Sequence, residues 1–412
     1  MLSSVWVEAQ GQPAHGRLLS VSTLELSFLS LFVYVLSLAV FAQGTSEFML
    51  SGLVPDIARE LSVSVGAAAS LTSAYAFGMV MGAPVMAALS ARWPRRRALA
   101  TFLIAFVIVH VIGAVTGDFA VSFGTRIIAA VANAGFLAVA MSVASAMAGP
   151  AKQARATAIL FGGVTLACVV GVPAGALLGQ LSGWRLAFWA VAGLSLPALV
   201  LVFRSAPADP AGRCNVAVSK EFRVLRSWSL QHALVLAALV NGATFATFAY
   251  LAVVATDVAG LPADAVPGLL AAFGVGAFAG VTASGRIGHG RLGWRMVGAL
   301  LALPVGWAVL AMTSSHIITL FLITIVQGAL SFGVGSALVT RVLHLAPEAP
   351  SLAGSFATVA LNIGAVLGPL LAGIITGATG DYRHAIWLST ALTATAAIAL
   401  AGTRRRDSVQ AR

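Results

Sequence analysis

Polar and apolar positions in this chain do not alternate with the period of a half-buried strand or an amphipathic helix. They come in blocks. Twelve blocks are long and predominantly apolar, with bounds near 28–53, 65–90, 98–116, 120–145, 155–180, 185–203, 229–255, 265–284, 295–314, 317–340, 350–378 and 384–402. About 20 apolar residues suffice for a helix to cross a bilayer. The pattern therefore predicts an all-α membrane protein of twelve transmembrane helices. The least apolar internal connection, 204–228, leaves six runs on each side. The predicted organisation is an N-terminal extension over 1–27, a first six-helix half over 28–203, a linker over 204–228, a second half over 229–402 and a basic tail over 403–412. The extension lacks the basic, apolar, small-residue order of a signal peptide, and reads as a flexible segment or an over-long start.

Composition agrees with a chain dissolved in lipid. Of its 412 residues 59% are apolar and 9% charged, and its mean hydropathy is +0.97. A soluble domain carries about 25% charged residues, so an ordinary globular enzyme is excluded, and a disordered protein needs the opposite balance. The net charge of +11 would suit nucleic acid only if it formed a patch. Instead it sorts by loop. With an even number of spans both chain ends lie on one side, and that side takes 20 of the 24 Lys and Arg, while the other has Arg59, Arg185 and Arg383. Loop asymmetry of this kind sets orientation, so both termini and the linker are expected to be cytoplasmic, with the plasma membrane as location and no nucleic-acid partner. Two cysteines, Cys168 and Cys214, are too few for a disulfide framework. No His/Cys cluster has metal-ligand spacing.

Removing the charges that belong to loops leaves one acid and one Arg inside the runs, Glu47 and Arg126. A charge at mid-membrane costs about 2.5–3.5 kcal/mol on insertion scales. A carboxylic acid taken out of water is poised for proton uptake, which makes Glu47 a candidate proton site. A structural acid hydrogen-bonded within the bundle is the other role open to it. Arg126 is its natural electrostatic partner, since Arg does not lose its proton in practice. The alternative is an Arg that snorkels to the headgroups. His110 in the third run reads as a satisfied buried histidine, with proton shuttling as the other role. Asn133, Asn241, Gln327 and Asn362, with Phe136, Phe245, Tyr250 and Phe356 near them, suggest a pocket with apolar walls and few polar contacts, suited to a small amphipathic ligand. Taken singly, each amide equally fits a helix-packing hydrogen bond.

The halves resemble each other. Ala76-Phe77-Gly78 recurs as Ala272-Phe273-Gly274, 196 positions on, and two similar six-helix halves are the layout of many secondary transporters. Small residues recur at intervals of four in the second and fifth run of each half: Ser70, Ala74, Gly78, Gly82; Gly163, Ala167, Gly171, Gly175, Gly179; Gly268, Ala272, Gly276, Gly280, Ser284; and Ala360, Gly364, Gly368, Ala372. Such stripes let helices approach closely in lipid. They are expected to form a smooth interface on which two halves rock, the alternative being generic close packing. Pro173 breaks the hydrogen-bond ladder locally.

At these residues the sequence, over about 28–402, resembles the major facilitator superfamily. Arg92-Trp93-Pro94-Arg95-Arg96-Arg97 looks like the basic half of that family's loop motif between helices two and three, but the acids usual there are absent at Ala91 and near His289. Arg126 matches the helix-four Arg linked in the superfamily to proton coupling. Gly162, Gly171, Pro173 and Gly175 look like the helix-five motif of drug/proton antiporters. Four stretches are similar to actinobacterial chloramphenicol efflux proteins: Phe41–Leu53, Arg92–Arg97, Asn133–Val139 and Cys168–Pro173. The resemblance implies proton-coupled export of an uncharged phenicol antibiotic by a monomer, driven by the proton gradient with no cofactor. Related branches export sugars, so a sugar or metabolite exporter is the second reading. No nucleophile-base pair supports an enzyme.

Overall fold

The computed structural model describes residues 32–90, 93–205, 222–286, 292–349 and 352–410. The extension 1–27, Arg92, Cys214 and most of the linker lie outside them. Among the described residues twelve helices are long and apolar enough to cross a membrane: α1 (Phe32–Gly52), α2 (Val65–Met86), α3 (Arg95–Val115), α4 (Phe119–Ala144), α5 (Ile159–Ser182), α6 (Arg185–Arg204), α7 (Trp228–Phe248), α8 (Ala263–Gly285), α9 (Met296–Thr313), α10 (Ile317–Leu345), α11 (Ala353–Thr379) and α12 (Arg383–Ala401). The seventh helix ends earlier than its apolar run: the chain turns at Ala249 and Tyr250 before helix resumes at Leu251. The two ends of the bundle are distinguished here as the near end, which carries the linker, and the far end opposite it. Far-end connections are short and capped. Asp118 Oδ1 accepts the Val121 N–H at 2.8 Å to start α4. Gly380 ends α11 in the left-handed region (φ 71°), where a Cβ is strained.

Glycine contacts reveal the internal repeat. Gly78 and Gly82 of α2 lie on Ile127 and Val131 of α4, while Gly276 and Gly280 of α8 lie on Ile325 and Ala329 of α10. Gly163, Gly171, Gly175 and Gly179 of α5 lie on Ser37, Thr45, Met49 and Leu53 of α1, while Gly364 and Gly368 of α11 lie on Ala238 and Gly242 of α7. These contacts correct the expectation that the stripes form the interface between halves: each one is made inside a half. The physical reason is that a missing Cβ permits backbone-to-backbone contact, and such interlocked contact suits helices that stay paired rather than surfaces that slide. Gly78 and Gly276, like Ile127 and Ile325, are 198 positions apart. The Ala-Phe-Gly repeat is therefore two residues out of register with the structural repeat. Gly274 instead meets the Cys168 backbone of α5, across the halves.

The halves meet at the far end. Gly66 of α2 abuts Gly373 of α11, and Gly52 abuts Leu270 of α8. Ser73 Oγ donates to the Val366 carbonyl at 2.9 Å, the Phe48 and Phe245 rings lie 5.9 Å apart, and Gln180 Nε2 donates to the Ala263 carbonyl. One hydrophobic core there includes both halves, from Met49, Tyr75 and Val172 to Tyr250, Leu270 and Trp307. Toward the near end the cores separate: one holds Phe32, Leu99, Phe102 and Phe136 of the first half, others Leu236, Leu300 and Leu338 or Leu230, Val342 and Phe356 of the second. The bundle is closed at the far end, and its halves part toward the near end.

Candidate functional site

The polar stretch Gln43-Gly44-Thr45-Ser46-Glu47 interrupts the apolar run of α1, and the first half gathers its ionisable side chains around it. Arg126 reaches over from α4, 1% exposed. Its Nη1 donates to Ser46 Oγ and its Nη2 to the Ser46 carbonyl, both at 2.7 Å. The guanidinium lies 4.4 Å from the Tyr75 ring centroid of α2 and 6.0 Å from that of Phe188 of α6. Faces of aromatic rings attract a cation most strongly when water is absent, so the burial of this charge is offset by two hydrogen bonds and two rings.

Ser46 also meets His110 of α3, Oγ to Nε2 at 2.6 Å. His110 Nδ1 lies 2.7 Å from the Phe106 carbonyl. A carbonyl only accepts, so Nδ1 carries the proton, and in the neutral ring Nε2 accepts from the Ser46 hydroxyl. The order of donation is Arg126 to Ser46 to His110 to Phe106. Two rings enclose the imidazole, Phe106 at 4.1 Å and Phe188 at 5.8 Å between centroids.

Glu47 is part-exposed and makes no ion pair or hydrogen bond with the described residues. Its chain neighbour Ser46 is the residue that binds Arg126. Arg126 is thus near Glu47 yet bound to the residue beside it. The orphaned polar atoms around this turn include both ends of the Gln43 amide and Arg126 Nε, although buried polar groups in native proteins are nearly always paired.

The remaining predicted residues disperse. Asn133 is close to this cluster, its Nδ2 3.7 Å from Met79 Sδ. Phe136 is a wall of the first-half core rather than of a pocket, packed with Phe102 and Leu99. In the second half two of the amides tie helices together, Asn241 Nδ2 donating to the Leu361 carbonyl at 2.8 Å and Gln327 Nε2 to that of Leu303 at 3.1 Å, whereas Asn362 Nδ2 donates within its own helix to the Thr358 carbonyl at 2.9 Å. Phe356 packs in a near-end core. Phe245 belongs to the aromatic seal with Phe48 and Phe248. Tyr250 is corrected from pocket to seal: it is wholly buried, its ring stacks on Tyr382 at 6.3 Å, and its hydroxyl sits against Gly373. Burial and the charge of Asp257 push the Tyr382 hydroxyl above its ordinary pKa.

In the helix-five motif, Gly171 and Gly175 are packing positions, whereas a Cβ at Gly162 would meet nothing. Pro173 follows a widened turn over Ala167–Gly171, where the Val172 N–H bonds the Ala167 carbonyl five residues back. Arg95, Arg96 and Arg97 open α3 at the near end. Ser46 and Tyr75 are site residues that the sequence pattern does not single out. Their signal is slight: a hydroxyl beside the lone acid, and one of only four tyrosines.

At the far end Arg185 pairs with Glu60 and donates to the Thr116 carbonyl at 2.8 Å. These residues stand beside an open cavity of about 890 Å³ lined by Asp56, Glu60, Gln180, Trp184, Asp257 and Asp264 among others.

The family model of the Major Facilitator Superfamily matches residues 36–359. A chloramphenicol resistance protein of Streptomyces lividans is 49% identical over 370 residues, covering 88% of this chain and 94% of that one. The inner membrane transport protein YdhP of Escherichia coli K12 is 34% identical, covering 84% and 89%. Among solved structures, a bacterial homologue of the human lysosomal transporter Spinster, inward-facing and occupied, superposes with a TM-score of 0.76 at 17% identity over 91% of this chain and 97% of its own. The human organic anion transporter MFSD10 gives 0.66 at 15% identity, over 94% and 100%. A multi-pass membrane transporter of two six-helix halves, and not an enzyme, this chain belongs to the major facilitator superfamily.

Proposed function

We propose that this transporter exports a small neutral antibiotic, chloramphenicol above all, in exchange for protons, and so confers resistance. The observation that carries the reading is the 49% identity, spread over 88% of the chain, to a Streptomyces protein that bears chloramphenicol resistance as its name. The near end, where Arg and Lys concentrate, is cytoplasmic. The far-end closure then corresponds to a state open toward the cytoplasm, from which drug enters between the halves. Glu47 takes up a proton from outside and releases it inside. Arg126 tunes that exchange from Ser46, the residue beside Glu47, and no cofactor takes part. One charge moving across 100 mV gains about 2.3 kcal/mol, enough for roughly fifty-fold accumulation at one proton per drug. The protein works as a monomer in the plasma membrane with both termini inside.

The test is chloramphenicol resistance of cells expressing the chain, followed by drug uptake into everted vesicles with a pH dye inside. Wild type is expected to take up drug while protons leave the vesicle, and Glu47→Gln to bind drug but lose the proton signal. Export of a sugar without binding of any phenicol would select the metabolite reading, and full proton-dependent export by Glu47→Gln would remove Glu47 from the coupling.

A further inference from the structure

We propose that His110 is a positioning residue of the coupling apparatus, acting through Ser46 to hold Arg126 off Glu47. This rests on the coupling roles proposed above. Ser46 Oγ is the joint: it accepts from Arg126 Nη1 at 2.7 Å and donates to His110 Nε2 at 2.6 Å. A hydroxyl has one proton and two lone pairs. With its proton committed to Nε2, its lone pairs are turned toward the guanidinium. The Phe106 carbonyl, 2.7 Å from Nδ1, fixes the tautomer that makes Nε2 an acceptor. Remove that acceptor and the Ser46 proton is free to rotate toward Arg126, where it opposes the cation instead of receiving it.

Arg126 then keeps only the Ser46 carbonyl, and the neighbouring carboxylate of Glu47 becomes its better partner. Its orphaned Nε leaves it a free donor for such a move. The groups facing the joint are few. Arg126 from α4 bonds Ser46 Oγ, the Tyr75 ring of α2 lies 4.4 Å from its guanidinium, and Glu47 of α1 is the residue after Ser46. Helix α6 contributes the Phe188 ring. A carboxylate that gains Arg126 as a partner holds its proton less readily, so loss of the His110 acceptor is expected to shift coupling toward lower pH.

The experiment is drug-driven proton movement in everted vesicles between pH 5.5 and 8.5, with purified amounts checked by gel filtration in detergent. His110→Leu and Ser46→Ala are expected to move the pH midpoint down by about one unit, the scale of one charge-assisted hydrogen bond, and to lower turnover more than KM. His110→Gln retains a side-chain acceptor and is expected to return most of the shift. A folded His110→Leu or Ser46→Ala with the wild-type midpoint overturns the proposal, as does a His110→Gln that shifts as far as His110→Leu. If His110→Leu does not fold, Ser46→Ala decides alone. Glu47→Gln run in parallel separates the two failures. Coupling that survives it defeats the Glu47 assignment itself, whereas coupling lost in Glu47→Gln but unmoved in His110→Leu defeats only the role of His110.

Discussion

Arg126 is a cation buried to 1% exposure, and its surroundings show how the cost is offset. Two hydrogen bonds to one residue require the planar fork of a guanidinium, and the Tyr75 face at 4.4 Å replaces part of the lost hydration. Lys supplies the charge without the fork. Arg126→Lys is therefore expected to fold but to lose about tenfold in coupled export, the equivalent of one charge-assisted bond, measured as initial drug uptake in vesicles. The Tyr75 hydroxyl reaches the Gln43 carbonyl only at 3.5 Å, the weak limit of a hydrogen bond, so the ring rather than the hydroxyl is what Arg126 uses. Tyr75→Phe is expected to lie within about 0.5 kcal/mol of wild type in thermal unfolding, and Tyr75→Leu to lose about 1–2 kcal/mol through the cation–π contact. Equal losses in both would show that the hydroxyl matters instead. Glu47 and Arg126 were legible in the sequence because charge inside an apolar run is conspicuous. Ser46 was not, because a serine signals nothing until the helices that bring Arg126 and His110 to it are in place, 80 and 64 positions away.

Between elements the decisive quantity is how near two backbones come. Periodicity predicted every span and placed small residues on one face of α2, α5, α8 and α11, since both patterns are local. Which helix that face meets is a question of lateral order in the bundle, and intervals of four residues carry no information about it. Hence the stripes were expected between the halves and are found within them. The helix-five motif makes a sharp test, because two of its glycines differ in surroundings. A Cβ on Gly171 would run into the Thr45 hydroxyl one residue from Ser46, whereas one on Gly162 meets nothing within 4 Å. Gly171→Ala is expected to destabilise by about 1–3 kcal/mol, the cost of overpacking, and to disturb coupling by shifting α1. Gly162→Ala is expected to be neutral or stabilising by up to about 1 kcal/mol, the gain in helix propensity. Thermal unfolding in detergent and vesicle uptake together distinguish these. Destabilisation by Gly162→Ala comparable to that of Gly171→Ala would mean that the motif constrains the helix for a reason other than packing on α1.

For the whole molecule, the contrast between a shared far-end core and divided near-end cores implies that transport has to dismantle the far-end contacts. The 198-residue repeat explains why that motion is possible without unfolding. The contacts of the small-residue stripes travel with each half, α1 with α5 and α2 with α4, and their counterparts in the second half. Between the halves lie Gly274 on the Cys168 backbone, Gly52 on Leu270, the Phe48 and Phe245 rings, hydrogen bonds from Ser73 and Gln180, and the crossing of α2 over α11 at Gly66 and Gly373. A Cβ built on either of these glycines lies 3.4 Å from the other's Cα, so side chains introduced at the two positions would meet directly, provided that the Tyr250 hydroxyl beside Gly373 shifts. Cysteines introduced by Gly66→Cys and Gly373→Cys, in a background with Cys168→Ser and Cys214→Ser, are expected to cross-link on mild oxidation and to abolish drug uptake while leaving drug binding from the near end intact. Reduction should restore transport. The same pair should cross-link less when the far end opens, so the rate of oxidation in vesicles with and without an imposed proton gradient reports the population of the closed state. Full transport by the oxidised, cross-linked protein would mean that the halves do not part at α2 and α11, and that substrate leaves by another route.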